Sequence, residues 1–229
     1  MNTFPMTKAR VLLGATACLL FAAGARAGGH LDVDDAGTLD TGQCQYEAWY
    51  GRAGPDPVNA FHIGPACRVG QVELGLSFDR YTFDGQRADT LGPQFKWTWF
   101  GEAPDARFSG AVSANATWDR TNRGKPGRQL VLPFTWRALD GVQIHANLGA
   151  DWSPVTGNRT RRGGLGTEWA ISEQVSLLAE RNRAGGLWTS RAGARLSLTP
   201  LISLDVTTSR TGPGRAKGFY VGLNHEFSR

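Results

Sequence analysis

The sequence predicts an all-β protein, a closed antiparallel transmembrane β-barrel of about 12 strands with both termini on the periplasmic side. Three observations predict it. Apolar residues alternate with polar ones along almost the whole chain beyond residue 42. Tight turns alternate with longer polar connections, as in bacterial outer-membrane barrels. After the N-terminal leader, no segment is apolar for long enough to form a membrane helix.

The clearest alternation lies in residues 130–152, "LVLPFTWRALDGVQIHANLGADW". Apolar residues occupy every second position on both sides of Asp140-Gly141. A period of two is typical of a strand, and Asp-Gly between two such runs is a strong signal for a two-residue hairpin turn. The pattern therefore predicts a hairpin with one apolar face.

The same pattern divides the rest of the chain into further strands. The lengths suit tilted strands that cross the hydrocarbon layer of a membrane. The twelve predicted segments are 43–51, 59–67, 70–79, 90–100, 106–119, 128–139, 142–152, 161–171, 174–182, 187–198, 201–209 and 217–227. An open sheet of this size would leave two unpaired edges in lipid, so we expect the first and last strands to pair.

The connections assign the two ends of the barrel. Those after even-numbered segments are mostly tight, whereas those after odd-numbered segments are longer and polar, such as "RYTFDGQRA" and "SPVTGNRTR". Short turns are typical of the periplasmic side and long loops of the cell exterior. The apolar face is then predicted to meet lipid, and the polar face to line a lumen.

Residues 1–27 have the layout of a secretory signal peptide, with Lys8 and Arg10 before an apolar stretch and Ala25-Arg26-Ala27 at its end. We expect residues 28–42 to form a periplasmic N-terminal segment and residues 43–229 to form the barrel. Removal of the leader leaves 22 Lys and Arg against 20 Asp and Glu, a net charge of +2. This balance does not indicate a nucleic-acid partner.

Tryptophan placement supports the membrane interpretation over a soluble sandwich, in which large aromatic residues would lie mid-strand. Barrels carry aromatic girdles at both membrane interfaces. Seven of the eight tryptophans fall near predicted strand ends: Trp97, Trp99, Trp118, Trp136, Trp152, Trp169 and Trp188.

Cys44 and Cys67 are the two cysteines beyond the leader. If the first two strands form a hairpin around Pro55-Asp56, these residues face each other. A secreted chain passes an oxidising compartment, so we predict a disulfide near the periplasmic rim that contributes about 3 kcal/mol.

The polar phase of the strands supplies the candidate lumen and solute residues, which are Glu47, His62, Lys96, Arg107, Arg137, His145, Arg191 and Arg195. Six basic and seven acidic residues share this phase, a near balance that predicts ion pairs and no strong ion selectivity. Arg191 and Arg195 could bind an anionic solute. The more conservative interpretation pairs them with Glu180 and Asp205 on the flanking strands.

The sequence does not favour an enzyme. Some outer-membrane barrels are lipid hydrolases with a His-X-Ser arrangement, but Asn147 occupies the serine position here and His145 lies in the luminal phase. Phosphate loops and the serine and zinc hydrolase motifs are absent from the sequence. We expect no cofactor and no metal.

The stretch "DDAGTLDTGQCQYEAWYG" resembles the start of proteobacterial outer-membrane proteins related to those associated with phenol and aromatic-compound degradation, which are described as candidate transporters. In that group Gly-X-X-Gln/Glu-X-Glu opens the first strand, as Gly42, Gln45 and Glu47 do here. The resemblance covers about twenty residues and implies a barrel that passes small hydrophobic or aromatic solutes.

The leading functional hypothesis is passive passage of small solutes through a narrow lumen in the bacterial outer membrane. The alternative is a closed structural or interaction barrel that acts through its loops or its periplasmic segment. Expected partners are membrane lipid, lipopolysaccharide at basic loops, and the barrel assembly machinery. The alternating last strand, which closes on Phe227, resembles the signal that this machinery reads.

Overall fold

A computed structural model describes residues 31–53, 58–103, 105–121 and 124–228. The predicted signal peptide, residues 1–27, lies outside the described residues. The strands are β1 (Gln43–Ala53), β2 (Val58–Val69), β3 (Val72–Phe83), β4 (Gln86–Phe100), β5 (Phe108–Asp119), β6 (Gly127–Leu139), β7 (Val142–Trp152), β8 (Arg159–Ala170), β9 (Val175–Ala184), β10 (Leu187–Thr199), β11 (Ile202–Thr211) and β12 (Ala216–Ser228).

The strands close into one antiparallel barrel in which each strand pairs with its neighbours in sequence and β1 pairs with β12. Gln43 lies opposite Ser228 at one end of this closing seam, and Ala53 lies opposite Gly218 at the other. The twelve-strand fold predicted from the period-two alternation is confirmed. The hairpin around Asp140-Gly141 is confirmed too, with Gly141 at a φ of 74°.

The faces of the barrel are the reverse of those of a soluble protein. Leu132 and Val206 point outward and are 39% and 47% exposed, whereas Thr135 and Asp205 point inward and are 2% and 3% exposed. Apolar outward and polar inward faces are what a barrel surrounded by lipid needs. The described residues contain no helix that is long and apolar enough to cross a bilayer.

The two ends of the barrel differ in their connections. The terminal end carries Gln43, Ser228 and the turns that follow even-numbered strands, and the loop end carries the connections that follow odd-numbered strands. One connection at the loop end is shorter than expected, because β3 and β4 continue to a two-residue turn at Asp84-Gly85. Both turn residues have positive φ, 46° and 72°, which Asp tolerates and Gly favours.

The seven girdle candidates lie on the outward face near strand ends. Trp97, Trp99, Trp136 and Trp169 are near the terminal end, and Trp118, Trp152 and Trp188 are near the loop end. All are exposed except Trp152, which is half-buried. Their contact with the membrane interfaces stays a prediction.

The N-terminal segment, defined here as residues 31–42, lies inside the barrel. Val33, Ala36 and Leu39 are among the most buried apolar residues of the protein. This differs from the expectation of a segment in the periplasm. The reason is that its backbone and apolar side chains find partners on the luminal faces of strands distant in sequence.

Candidate functional site

The far end of the N-terminal segment is held by β9 and β10. The backbone amides of Asp32 and Val33 donate to the two carboxylate oxygens of Glu180, at 3.2 and 2.8 Å. The Arg191 guanidinium lies 3.2 Å from the Asp32 carboxylate and 3.4 Å from that of Glu180. Two carboxylates therefore share one buried cation, and one of them, Asp32, is supplied by the segment itself.

The acidic middle of the segment meets β4 and β7. Lys96 Nζ lies 2.8 Å from Asp34 Oδ1 and 3.2 Å from Asp35 Oδ1. The Asn147 carboxamide faces the backbone N–H and C=O of Asp34, at 2.7 and 2.8 Å in the amide orientation that satisfies both groups. These contacts give the backbone of the segment hydrogen-bond partners that a buried, irregular chain otherwise lacks.

Ala36 is fixed between β4 and β6. Its amide donates to Thr135 Oγ1 at 2.9 Å, and its carbonyl accepts from Thr98 Oγ1 at 2.7 Å. Thr135 also lies 3.0 Å from His145 Nδ1. The side chain of Ala36 is only a methyl group, which lets the backbone approach both threonines. The segment crosses the lumen at this point.

The near end of the segment is held by β2 and β3, close to the terminal end of the barrel. The Leu39 amide donates to Glu73 Oε2 at 2.9 Å. Arg68 donates to Thr38 Oγ1 at 2.7 Å and to the Leu39 carbonyl at 3.0 Å. The segment thus runs from the β2–β3 base to the middle of β9 and β10.

Two luminal glycines of β8 make room for Val33. A Cβ added at Gly164 would lie 2.8 Å from Val33 Cγ2, and one added at Gly166 would lie 3.2 Å from Val33 Cγ1. Side chains at these positions would occupy the space that Val33 fills. The glycines therefore allow the segment to pack against the wall.

Beside the segment, β8–β11 form what we call the ionic wall. Arg195 donates from Nε and Nη2 to the two oxygens of Asp205, each at 2.8 Å, and from Nη1 to Glu168 at 3.0 Å. All three residues are 5% exposed or less. A two-point contact between a guanidinium and a carboxylate is among the strongest side-chain interactions in proteins. These side chains fill the luminal side of the ionic wall.

The opposite side of the lumen holds a cavity of about 550 Å³. Gln45 and Glu73 line it near the terminal end, and Tyr81 and Asp151 line it near the loop end. We call β1–β5 the cavity wall. The cavity lining includes seven Asp or Glu residues against three Lys or Arg, and three of the seven, Asp32, Asp34 and Asp35, come from the N-terminal segment. The near balance expected from the sequence therefore does not hold in the open space.

An aromatic cluster lies on the cavity wall. The rings of Trp49 and His62 stack with centroids 5.3 Å apart and planes 10° apart, and the Trp49 ring meets Tyr220 edge-on at 6.2 Å. His62 Nδ1 is 2.7 Å from Asp79 Oδ1, which fixes the orientation of the imidazole. The cluster continues to Arg191, whose guanidinium lies 4.3 Å from the Tyr220 ring centre.

The structure places most of the predicted luminal residues in the lumen, in different surroundings. Glu47, His62 and Lys96 line the cavity. His145 is buried beneath the segment, and Arg137 donates to the Ala106 carbonyl at 2.7 Å.

Arg107 does not join them. It precedes β5, in the connection from β4, and it is exposed. The sequence predicted that this strand starts at residue 106, which would place Arg107 in the inward phase. The observed strand starts at Phe108, so Arg107 lies outside it. Arg191 and Arg195 pair with Glu180 and Asp205 across the neighbouring strands, in agreement with the more conservative of the two interpretations.

Sequence reasoning missed the segment residues and the glycines that receive them. Leu31 and Val33 alternate with acidic residues in "HLDVDDAG", and Gly164 and Gly166 fall in the inward phase of β8. Small residues on one inward face are a signal that something packs there. The signal does not say which part of the chain it is.

The predicted disulfide between Cys44 and Cys67 is present. The two residues are direct partners across β1 and β2, with their Cα atoms 4.0 Å apart. The bond lies two residues after the end of the segment. It therefore fixes the base of the cavity wall at the point where the chain enters the lumen.

The model of a protein family described as "Uncharacterised conserved protein UCP029691" matches residues 15–223. The chain belongs to this family. No curated protein matches it.

Solved structures of outer-membrane channels share its fold. The KdgM porin in complex with disordered oligogalacturonate is 10% identical, with a TM-score of 0.61 over 80% of this chain and 99% of that one. The COG4313 outer membrane channel from Pseudomonas putida F1 is 14% identical, with a TM-score of 0.62 over 86% of this chain and 100% of that one. The fold is that of the bacterial outer-membrane channels. The finer resemblance to proteins of aromatic-compound degradation stays a prediction.

One similar fold belongs to an enzyme. Outer membrane phospholipase A from Escherichia coli is 11% identical, with a TM-score of 0.51 over 80% of this chain and 89% of that one. In the present chain, His145 Nδ1 lies 3.0 Å from Thr135 Oγ1 inside the barrel. His225 lies near Phe227, with ring centres 5.9 Å apart. The likeness is one of fold, and the described residues form no cluster of three or more potential metal ligands.

Proposed function

We propose that this protein is an outer-membrane channel that passes small solutes passively through the space between the N-terminal segment and the cavity wall. The observation that carries the proposal is the cavity of about 550 Å³, lined by residues near both ends of the barrel. A lumen packed shut would leave no such space beside the segment. The outward apolar face supports a position in the outer membrane.

The proposed orientation follows from the connections and the termini. The terminal end, with its two-residue turns at Gly70-Gln71, Asp140-Gly141 and Pro200-Leu201, faces the periplasm. The loop end then faces the cell exterior. In this orientation the segment narrows the periplasmic half of the lumen, since its base contacts Arg68 and Glu73 near the terminal end.

Two features support a class of solute. The stacked rings of Trp49 and His62 offer an aromatic surface in the cavity wall, which favours solutes that contain a ring. The excess of carboxylates in the lining favours neutral or cationic solutes over anions. A strongly acidic solute is therefore not the proposed cargo.

A second candidate function is a closed barrel that acts through its surface. The segment supports it, because residues 31–42 fill the ionic-wall side of the lumen and narrow the space that remains. The two candidates differ in one measurable property, since a closed barrel conducts no ions. Both retain the same fold and the same disulfide.

The test is single-channel conductance of refolded protein in a planar lipid bilayer. The native chain should conduct weakly, and deletion of residues 31–40 should raise the conductance several-fold. Ser113→Trp places a large side chain in the cavity and should lower it. Thr208→Trp, on the exposed outer face of β11, is the matched control and should leave it unchanged.

The same recordings test the solute class. In a salt gradient the reversal potential should show a preference for cations, and added ring-containing solutes should reduce the current of the native channel. A folded barrel, shown by heat-modifiable gel migration, that conducts neither with nor without residues 31–40 would refute the channel and favour the closed barrel.

A further inference from the structure

Arginines concentrate on one sector of the outer face at the loop end. Arg128 is the second residue of β6, Arg159 and Arg161 open β8, and Arg181 and Arg183 lie close to the end of β9. All five are exposed and lie in the outward phase of their strands. The outward positions of β6–β10 contain no Asp or Glu. This sector is therefore uniformly basic.

The opposite sector, at the same height, is balanced by a carboxylate. Arg80 and Arg87 on β3 and β4 both pair with Asp89, the first at 2.9 Å. Arginines near a membrane surface are common in themselves. An arginine without an acidic neighbour attracts a lipid phosphate more strongly than one that is already paired with a carboxylate. Asp89 thus offsets part of the charge of two arginines there, whereas the outward positions of β6–β10 supply no carboxylate to theirs.

Three of the arginines form a compact group around Trp152. Arg128 and Arg159 are the direct partners of Trp152 on its two sides, and Arg161 is the partner of Ala150, one outward position below. Neighbouring strands lie about 4.8 Å apart. The backbones of Arg128 and Arg159 are therefore about 10 Å apart, within the reach of two long side chains that bind one phosphate-bearing head group.

A groove on the outer face leads to this group. It has a volume of about 440 Å³ and is lined mainly by apolar surface, with Leu74, Pro93 and Phe95 on one side and Arg128 and Trp152 at its loop end. Ala114 and Ala116 of β5 form its floor. The groove exists because these two outward positions hold methyl groups, where most outward positions of the barrel hold large side chains.

We propose that this surface binds a phosphorylated, acylated lipid of the outer leaflet, of the lipopolysaccharide class. Its phosphate would lie against Arg128, Arg159 and Arg161, and one acyl chain would lie in the groove over Ala114 and Ala116. The head-group site and the chain site meet at Arg128, which is the geometry that such a lipid requires. Lipid surrounds this face, so the occupant needs no route through the barrel.

The test uses protein refolded from denaturant in detergent, which carries no native lipid. Binding of lipopolysaccharide is measured beside that of its enzymatically dephosphorylated form and of inorganic phosphate. The variants are Arg128→Gln/Arg159→Gln/Arg161→Gln for the head-group site and Ala114→Leu/Ala116→Leu for the groove. Arg80→Gln/Arg87→Gln is the matched control, because it removes charge at the same height from the balanced sector.

The arginine triple variant should bind lipopolysaccharide roughly tenfold more weakly than the native protein, since each basic side chain near an anionic lipid head group adds to the binding free energy. The groove variant should also weaken it, and the control should not. If the triple variant does not fold, Arg128→Gln alone serves the same comparison.

Three results would overturn the proposal. They are equal losses in the triple variant and the control, equal binding of the phosphorylated and dephosphorylated lipids, and full binding by a groove variant whose barrel is intact. If inorganic phosphate binds as strongly as the lipid, the surface is a general anion site and not a lipid site.

Discussion

The two walls of the lumen are built from the same kind of strand but are filled in different ways. In the ionic wall, Glu168, Arg195 and Asp205 are almost fully buried, and the Arg195 guanidinium contacts both carboxylates. In the cavity wall, Gln45 and Glu47 face the cavity of about 550 Å³. The N-terminal segment accounts for the difference, because its far end packs against β8–β10 and only its base reaches β2 and β3.

The difference shows how a barrel of this size can combine a tightly packed wall with an open space. Charges packed away from water must be paired, so the ionic wall is locally rigid and intolerant of change. Charges that face a cavity keep contact with water and can vary. The cavity wall is secured at its base by the Cys44–Cys67 bond.

The largest expected effect is on the ionic wall. Arg195→Ala would leave Glu168 and Asp205 buried without their shared cation, and we expect it to lower the free energy of unfolding by about 3–5 kcal/mol. Arg162→Ala removes the guanidinium that lies 2.8 Å from Asp151, a pair that is 13% and 19% exposed at the cavity rim. That change should lower the same quantity by about 1 kcal/mol or less.

Urea titration of protein refolded into lipid vesicles, followed by tryptophan fluorescence, measures both values. Equal losses for Arg195→Ala and Arg162→Ala would show that the two walls do not differ in rigidity.

The second effect concerns the cavity wall. Cys44→Ala/Cys67→Ala opens a link between residues 23 apart in sequence, and we expect a loss of about 3 kcal/mol in the same titration. A reducing agent should lower the stability of the native protein alone, because the double variant has no bond to break. Conductance should change little, since the β1–β2 ladder holds the register. A reductant effect on the double variant would contradict this assignment.

The smallest effect concerns the contact between the segment and β8. Gly166→Ala places a methyl group against Val33, with no other atom within 3.4 Å, and should loosen the segment by about 1 kcal/mol. The conductance measured in bilayer recordings should then rise. Adding Val33→Ala removes the clash and should restore the native pattern. If the double variant conducts more than Gly166→Ala alone, the contact does not hold the segment in this way.

The barrel could be predicted from the sequence because its determinants are local. Alternation such as that from Leu130 to Trp152 fixes which face each residue occupies, and Asp140-Gly141 fixes the register of the hairpin. The pairing of Cys44 with Cys67 followed from the same reasoning. The β3–β4 hairpin was harder, since Arg80, Arg87 and Asp89 interrupt the apolar row and conceal the Asp-Gly turn signal.

The filled lumen could not be predicted, because its determinants are not local. Glu180 accepts hydrogen bonds from residues 147 and 148 positions earlier in the chain, and Thr135 from one 99 positions earlier. In the sequence, "HLDVDDAG" is a short polar stretch with two apolar residues. Nothing within it specifies strands that lie more than half the chain away.

These long separations also bear on the order in which the molecule is built. Residues 31–42 leave the ribosome before any strand, yet their partners extend as far along the chain as Arg191. They therefore reach their final places only after β2–β10 surround them, and the pairing of β1 with β12 encloses them. A segment that is synthesised before every strand of the barrel is thus among the last parts to be positioned.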